Sequence, residues 1–226
     1  MPLLEIQNLR KSYRTPDGEP QAVLDLPAFS LEPTQQVALR GSSGTGKTTL
    51  LNCIAGILTP DSGSILLNGY NVAMMDEGER DRVRAENTGF IFQTFNLLQG
   101  YTCLENVLLG MSFGRGPDKD LAEKLLRRVG LSDRLRYRPS QISVGQQQRV
   151  AVARALANYP KLVLADEPTG NLDPGNAREV LKLIRCICEE NRAALLLVSH
   201  DQFVLDQFDD CHDLADLNRA VQREAA

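Results

Sequence analysis

An α/β fold with a mostly parallel central sheet is predicted by three observations on this 226-residue chain. Leu162-Val-Leu-Ala165 and Ala194-Leu-Leu-Leu-Val198 are continuous apolar runs, the pattern of parallel strands covered on both faces. A third apolar segment, Val37-Ala-Leu39, runs directly into the glycine-rich stretch Gly41-Ser-Ser-Gly-Thr-Gly-Lys-Thr-Thr49, and an amphipathic stretch follows it. Strand-like and helix-like segments alternate over most of the remaining chain, as in βαβ units.

From the N-terminus, Leu4-Glu-Ile-Gln-Asn-Leu9 alternates with period two, which predicts a half-buried antiparallel strand. Asp17-Gly18 offers a turn, and Ala22 to Leu31 reads as further β structure. The stripe Leu50, Leu51, Ile54, Ala55 and Leu58 predicts a helix over Lys47–Leu58. Ser64-Ile-Leu-Leu-Asn68, flanked by Gly63 and Gly69, reads as a short strand, and so does Gly89-Phe-Ile-Phe-Gln93. From about Thr94 to Tyr159 the pattern becomes mostly helical. Thr102 and Glu105 form a capping-box pattern ahead of Val107 and Leu108, and Gly130 stops the stripe Leu121, Leu125, Val129. Asp173-Pro174 caps and opens a further helix that buries Val180, Ile184 and Ile187.

The glycine-rich stretch fits the phosphate-loop pattern G-x-x-x-x-G-K-S/T through Gly41, Gly46, Lys47 and Thr48. Gly41, Gly44 and Gly46, with Ser42, Ser43 and Thr45 between them, let the backbone curl so that successive N–H groups cradle phosphate oxygens. Lys47 supplies a point charge to the β- and γ-phosphates, the Thr48 hydroxyl completes a Mg2+ sphere, and Thr49 continues into the helix whose N-terminus faces the same phosphates. A plain glycine turn between strand and helix is the structural alternative. The strand before it and the helix after it favour a nucleotide site. About 120 residues on, Leu162-Val-Leu-Ala-Asp166-Glu167 is an apolar strand ending in two carboxylates. Asp166 is placed to bind Mg2+, and Glu167 to orient and deprotonate an attacking water.

With those motifs in order, the chain resembles the ATP-binding-cassette (ABC) ATPases, the engines of ABC transporters, from about Leu3 to Asp216. Ile142-Ser-Val-Gly-Gln146 stands where that family carries its signature Leu-Ser-Gly-Gly-Gln. Gln93 resembles the Q-loop glutamine, Asn171-Leu-Asp173 the D-loop and Ser199-His-Asp201 the switch histidine, while Tyr13 lies where an aromatic ring stacks on adenine. The resemblance implies a P-loop NTPase core with an N-terminal antiparallel β subdomain (residues 1–93 and 160–226) and a helical signature subdomain (94–159), together one domain over 1–226. It implies that Gln93 reaches Mg2+ and the nucleophilic water, and that His200 contacts the γ-phosphate and holds the geometry of Glu167. It further implies that Ser143, Gly145 and Gln146 complete the site of a second copy, bound head to tail around two ATP, and that Asp173 of the D-loop is a nucleotide-binding residue. Val144 departs from the signature, replacing its first glycine with a stiff β-branched residue. Either its backbone is ordinary and its side chain points away, or the closed dimer is weakened. Ala165-Asp-Glu-Pro-Thr-Gly-Asn-Leu-Asp173 and Phe95-Asn-Leu-Leu98 resemble the branch containing lipoprotein-release, macrolide-export and cell-division ATPases.

Composition bounds the rest. A hydrophobic content of 42% with 24% charged residues suits a soluble globule, and a net charge of −4 lacks the basic footprint of a nucleic-acid binder. Five cysteines without zinc spacing fit a reducing cytosol, and Cys186-x-Cys188 is expected to be half core, half surface. With two histidines, a His-rich metal site is excluded. The longest apolar run, Ala193–Val198, is far short of the ~20 residues that span a bilayer, and Met1-Pro-Leu-Leu-Glu5 is not a signal-peptide start. The short C-terminus is expected to leave no room for a regulatory domain. The expected place is therefore cytoplasmic, peripheral on the inner face of the membrane through an integral membrane transporter subunit. Phe95, Leu97, Leu98 and Tyr101, just past Gln93, either form an exposed patch for that subunit or pack the helical subdomain. A cell-division ATPase of the same branch is the alternative role. A GTPase would need Asn-Lys-x-Asp, which does not occur, and a small-molecule kinase leaves the signature unexplained.

Overall fold

Residues 1–224 are described by the computed structural model. Alternation places Leu4 and Ile6 on the buried face of β1 (Leu4–Arg14). The phase then slips at Asn8 (φ 49°), and Leu9 turns inward in its place. The expected alternation over Leu4–Leu9 therefore breaks at a bulge, seen as a register shift between Gln7 and Arg10 against β4 (Ser62–Leu67). With β2 (Pro20–Leu31) and β5 (Tyr70–Asn71), these strands form an antiparallel sheet in the order β2-β1-β4-β5.

The second sheet is parallel throughout its ladders. Its order is β6 (Thr88–Ile91), β7 (Leu162–Asp166), β8 (Ala194–Ser199), β3 (Gln36–Arg40) and β9 (Cys211–Asp213). Both faces are covered, which is why β7 and β8 read as unbroken apolar runs. Leu162, Leu164, Leu196 and Val198 pack toward the antiparallel sheet and α1 (Lys47–Ile54). Val163, Ala165, Leu195 and Leu197 pack on the other side. There they meet α3 (Cys103–Ser112), α4 (Lys119–Arg128), α5 (Val144–Ala155) and α6 (Pro174–Glu190). The capping box at Thr102–Glu105 and the Asp173 cap of α6 form as expected.

A second expectation needs correction. α1 stops at Ile54 instead of Leu58, because the Ile57 and Leu58 N–H groups both fold back onto the Asn52 carbonyl (2.9 and 3.1 Å) in a closing turn. The sequence reading also passed over α2 (Glu77–Asn87), which buries only Val83 and Asn87 and so has no apolar stripe to detect. Its sole local signal is the capping box of Asp76 with Glu79. The short α7 (Gln202–Leu205), α8 (Leu214–Leu217) and α9 (Arg219–Glu224) complete the described chain. Of the cysteine pair on α6, Cys188 is buried and Cys186 half-buried, as expected.

β6 meets the end of α5 at very close range. A Cβ built on Gly89 would lie 2.3 Å from the Ala155 carbonyl oxygen, which belongs to backbone and cannot swing aside. Gly89→Ala is therefore expected to lower unfolding free energy by ~1–3 kcal/mol, the usual range for overpacking. Denaturant titration should give a lower midpoint at unchanged slope; an unchanged midpoint would contradict the contact.

Candidate functional site

The glycine-rich loop leaves β3 at the edge where three parallel strands end in register: Arg40 pairs with Ser199, and Asp166 with Val198. Ligands of open α/β sheets bind at such carboxyl ends. Within the loop the Thr45 hydroxyl donates to the Ser42 carbonyl (2.9 Å), and Lys47 Nζ donates to the carbonyls of Gly41 and Ser42, the latter at 3.2 Å. Gly46 caps α1 at φ 90°, and a Cβ there would lie 2.9 Å from both the Val23 carbonyl oxygen and Leu24 Cδ2. Glycine alone suits that position on both counts. The loop thus presents curled backbone at a helix N-terminus, an arrangement that favours anions.

Opposite the loop stand the two carboxylates. Glu167 takes a left-handed φ of 44° immediately before Pro168, a conformation that costs of order 1–3 kcal/mol. Its backbone is held there: the N–H donates to the Val198 carbonyl (3.0 Å) and the carbonyl accepts from Gly170 N–H (3.1 Å). Its side chain is buried among donors. Oε1 lies 3.1 Å from Lys47 Nζ and 2.7 Å from His200 Nδ1, and Oε2 accepts from the Ser199 hydroxyl (2.9 Å) and the His200 N–H (3.4 Å). Burial alone would raise the Glu167 pKa, but the bonds from His200, Lys47 and Ser199 together outweigh it and hold the group below the usual glutamate range. Asp166 shifts the other way. Burial raises it, the neighbouring Glu167 charge adds to the rise, and the Thr48 bond opposes it. Of two adjacent carboxylates, Glu167 is the one built to stay ionised.

The donor set suits a hard cation. Thr48 Oγ1 and Asp166 Oδ2 lie 2.7 Å apart, both are oxygens, and Gln93 lines the same cleft. Among the described residues no three His, Cys, Asp or Glu side chains converge into a cage. Mg2+ is commonly held in this sparse way, by one or two protein oxygens with substrate phosphates and water supplying the rest.

One cleft of about 640 Å³ brings together Tyr13, Ser42, Ser43, Gly44, Gly46, Lys47, Thr48, Thr49, Gln93, Asp166, Glu167 and His200. Gly41 and Thr45 stand behind its wall, shaping the loop through the bonds given above. Tyr13 is 43% exposed, with Lys11 Nζ 5.8 Å from its ring centre. Ser143, Gly145 and Gln146 lie outside this cleft, at the head of α5, where Ser143 and Gln146 form a capping box. Asp173 likewise heads α6, accepting from the Gly175 and Asn176 N–H groups (both 3.1 Å). Val144 occupies the first helical position of α5, half-exposed and without a positive φ, so its backbone carries no strain. Sequence reasoning missed Val23 in the cleft wall, the Ser199 bond to Glu167, and Asn171, whose amide donates to the Gln93 carbonyl (2.7 Å). Ser199 and Asn171 stand inside motifs already singled out; Val23 carries no local signal.

A phosphate loop facing a buried, ionised carboxylate across one cleft defines a P-loop nucleotide triphosphatase. The chain belongs to the ABC transporter family, whose sequence pattern matches residues 24–170, and it is an ATP-binding, ATP-hydrolysing cassette. It is 42% identical over 212 residues to the lipoprotein-releasing system ATP-binding protein of Pseudomonas syringae pv. tomato, covering 92% of each chain. It is also 42% identical over 214 residues to the macrolide export ATP-binding/permease protein of Syntrophobacter fumaroxidans, covering 90% of this chain but 29% of that much longer protein. Among solved structures it is similar to a dimeric ATP-binding cassette in a post-hydrolysis state bound to ADP and phosphate. The TM-score is 0.86 at 32% identity, covering 96% of this chain and 95% of that one. The expected family, branch and fold are thus borne out.

Proposed function

We propose that this chain drives an integral membrane transporter subunit by hydrolysing ATP between two head-to-tail copies of itself. The observation that carries this reading is the Glu167 carboxylate, poised by Lys47, Ser199 and His200 beside the phosphate loop. The ATP phosphates lie along Gly41–Thr49, with Lys47 turning from loop carbonyls to the β- and γ-phosphates, and Tyr13 stacks on the base. Thr48, Asp166 and Gln93 would hold Mg2+, which would offset phosphate charge when bound. Glu167 accepts a proton from the attacking water while His200 keeps its carboxylate in line and touches the γ-phosphate. Ser143, Gly145, Gln146 and Asp173 reach the nucleotide of the opposite copy; α5 heads that contact with a helix N-terminus suited to phosphate. The helical segment 94–159 acts as the signature subdomain of a single domain over 1–226.

Among the described residues no helix is long and apolar enough to cross a membrane. We place the chain at the cytoplasmic face, held there by that subunit. The four apolar residues past Gln93 divide: Leu97 is buried and Phe95 packs on the core, while Leu98 and Tyr101 are 42% and 46% exposed. Arg154 holds this loop by donating to the Phe95 and Asn96 carbonyls (2.7 and 2.6 Å). Asn106 bonds the N–H and carbonyl of Leu98 (2.9 and 3.2 Å). Leu98, Leu109 and the 73% exposed Phe113 line a second cleft, of about 650 Å³, which we assign to the membrane partner. Leu98→Glu is expected to leave ATPase activity of the isolated chain within about twofold while abolishing co-purification with the membrane subunit. Retained co-purification would refute that surface, and global unfolding would place Leu98 with the core.

A further inference from the structure

We propose that Asn218, near the far end of the chain, is a positioning residue for nucleotide binding, acting through the Thr45–Gly46 peptide of the phosphate loop. Asn218 is fully buried. Its Oδ1 accepts from the Asp25 N–H (2.8 Å) and the Ala220 N–H (3.2 Å), and its Nδ2 donates to the carbonyls of Val23 (2.8 Å) and Thr45 (3.2 Å). Two acceptor sites and two donors exhaust what a side-chain amide can do. The pattern also fixes its orientation, since a flipped amide would set its NH2 against two N–H donors and its oxygen against two carbonyls.

The consequence for the loop follows from peptide geometry. The described chain has no cis peptide, and in a trans peptide the C=O and the next N–H point in opposite directions. Anchoring the Thr45 carbonyl on Asn218 therefore turns the Gly46 N–H the other way, toward the cleft that Gly46 lines. The same side chain grips Val23, whose carbonyl confines Gly46 from behind and whose side of β2 borders the cleft. One amide thus joins the wall of the cleft to the phosphate cradle. Asn218 is itself held by the turn of α8, through its N–H to the Leu214 carbonyl (2.8 Å), and Asp213 caps that turn by accepting from the Ala215 N–H (2.9 Å).

This inference rests on the reading of Gly41–Thr49 as the phosphate site. The test compares Asn218→Asp, which keeps the acceptor but turns a carboxylate toward two carbonyls, with Asp213→Ala, which loosens the same segment without touching Thr45. For each, the dissociation constant of a fluorescent Mg-ATP analogue, kcat at saturating ATP and the thermal midpoint are measured. The Asn218 variant should bind nucleotide about tenfold more weakly, the order of one mis-aimed hydrogen bond to a charged group, with kcat within about twofold. Asp213→Ala should lower the midpoint and leave the dissociation constant unchanged. Should the aspartate prevent folding, Asn218→Ala removes the same donor without burying a charge, and the same weakening is expected. Wild-type affinity in the Asn218 variants, or equal weakening in Asp213→Ala, would overturn the proposal alone. A wild-type protein that binds no nucleotide would overturn the phosphate-site reading and this proposal with it.

Discussion

Glutamine in place of Glu167 should slow ATP hydrolysis by about 10²–10⁴-fold, the usual weight of general base catalysis, while the protein stays folded. The folded part of that statement comes from the donors around the carboxylate. The amide oxygen of a glutamine can keep the place of Oε1, facing Lys47 Nζ at 3.1 Å. Its NH2 then meets the Ser199 hydroxyl, which stands 2.9 Å from Oε2 and can turn to accept. The Ser199 O–H, once turned, and the longer bond from the His200 N–H (3.4 Å) both lose the Oε2 acceptor. The left-handed φ of 44° is as accessible to glutamine as to glutamate. ATP that bridges two copies stabilises only the closed pair, so blocked turnover should let the pair accumulate by mass action. Losing a negative charge beside the γ-phosphate works in the same direction. Light scattering of Glu167→Gln with and without Mg-ATP reads this out, and repeating it with Val144→Gly added asks what the departing signature residue does. The unstrained backbone of Val144 leaves only its half-exposed side chain to crowd a partner. A single variant that stays monomeric beside a double variant that dimerises would show such crowding. Failure of both to dimerise, with hydrolysis intact, would refute the head-to-tail arrangement and the role of Glu167.

The cleft was legible in the sequence wherever its chemistry is local. Gly41 through Thr49 is one continuous segment from loop into helix, and Asp166, Glu167 and His200 each stand at or just past the end of an apolar strand, so parallel strands ending at one edge were enough to bring them together. Contacts across the chain were not legible. Asn218 reaches Val23 over 195 residues, and nothing in Asp-Leu-Asn-Arg marks that asparagine as buried. The slip at Asn8 was already present in the run, since strict period two puts Asn8 and not Leu9 on the face of Leu4 and Ile6, and the pairing with β4 shows how the strand absorbs it. α2 escaped because it lies on the surface with only Val83 and Asn87 buried, so it carries no apolar stripe. The apolar segment after Gln93 held both of its possible readings at once. Leu97 is buried and Leu98 42% exposed, in a loop held by the Asn106 and Arg154 bonds.

Lys47→Ala should abolish measurable hydrolysis and weaken nucleotide binding by roughly 10- to 100-fold, the range for a charge-assisted hydrogen bond lost to a desolvated phosphate. Two separate losses add in this variant. The first is the countercharge for the β- and γ-phosphates, which no neighbouring cation replaces in the lining of the cleft: Lys47 is its only lysine or arginine among the described lining residues. The second falls on Glu167. Of the three bonds that keep its pKa low against burial, Lys47 supplies one, so without it the Glu167 pKa rises toward that of a buried carboxyl. A base whose pKa rises is lost first at the acid end. The Glu167 titration, followed by NMR on the nucleotide-free protein, should therefore lie at higher pH in the variant than in the wild type. Lys47→Met separates charge from packing, because it retains the aliphatic stem that passes close to Gly41, near which a Cβ would lie 3.1 Å from Lys47 Cδ. If the charge is what matters, both variants should lose binding equally by titration with the fluorescent Mg-ATP analogue. Wild-type affinity and turnover in Lys47→Met would show instead that the stem merely props the loop, and the assignment of the phosphate site would fall.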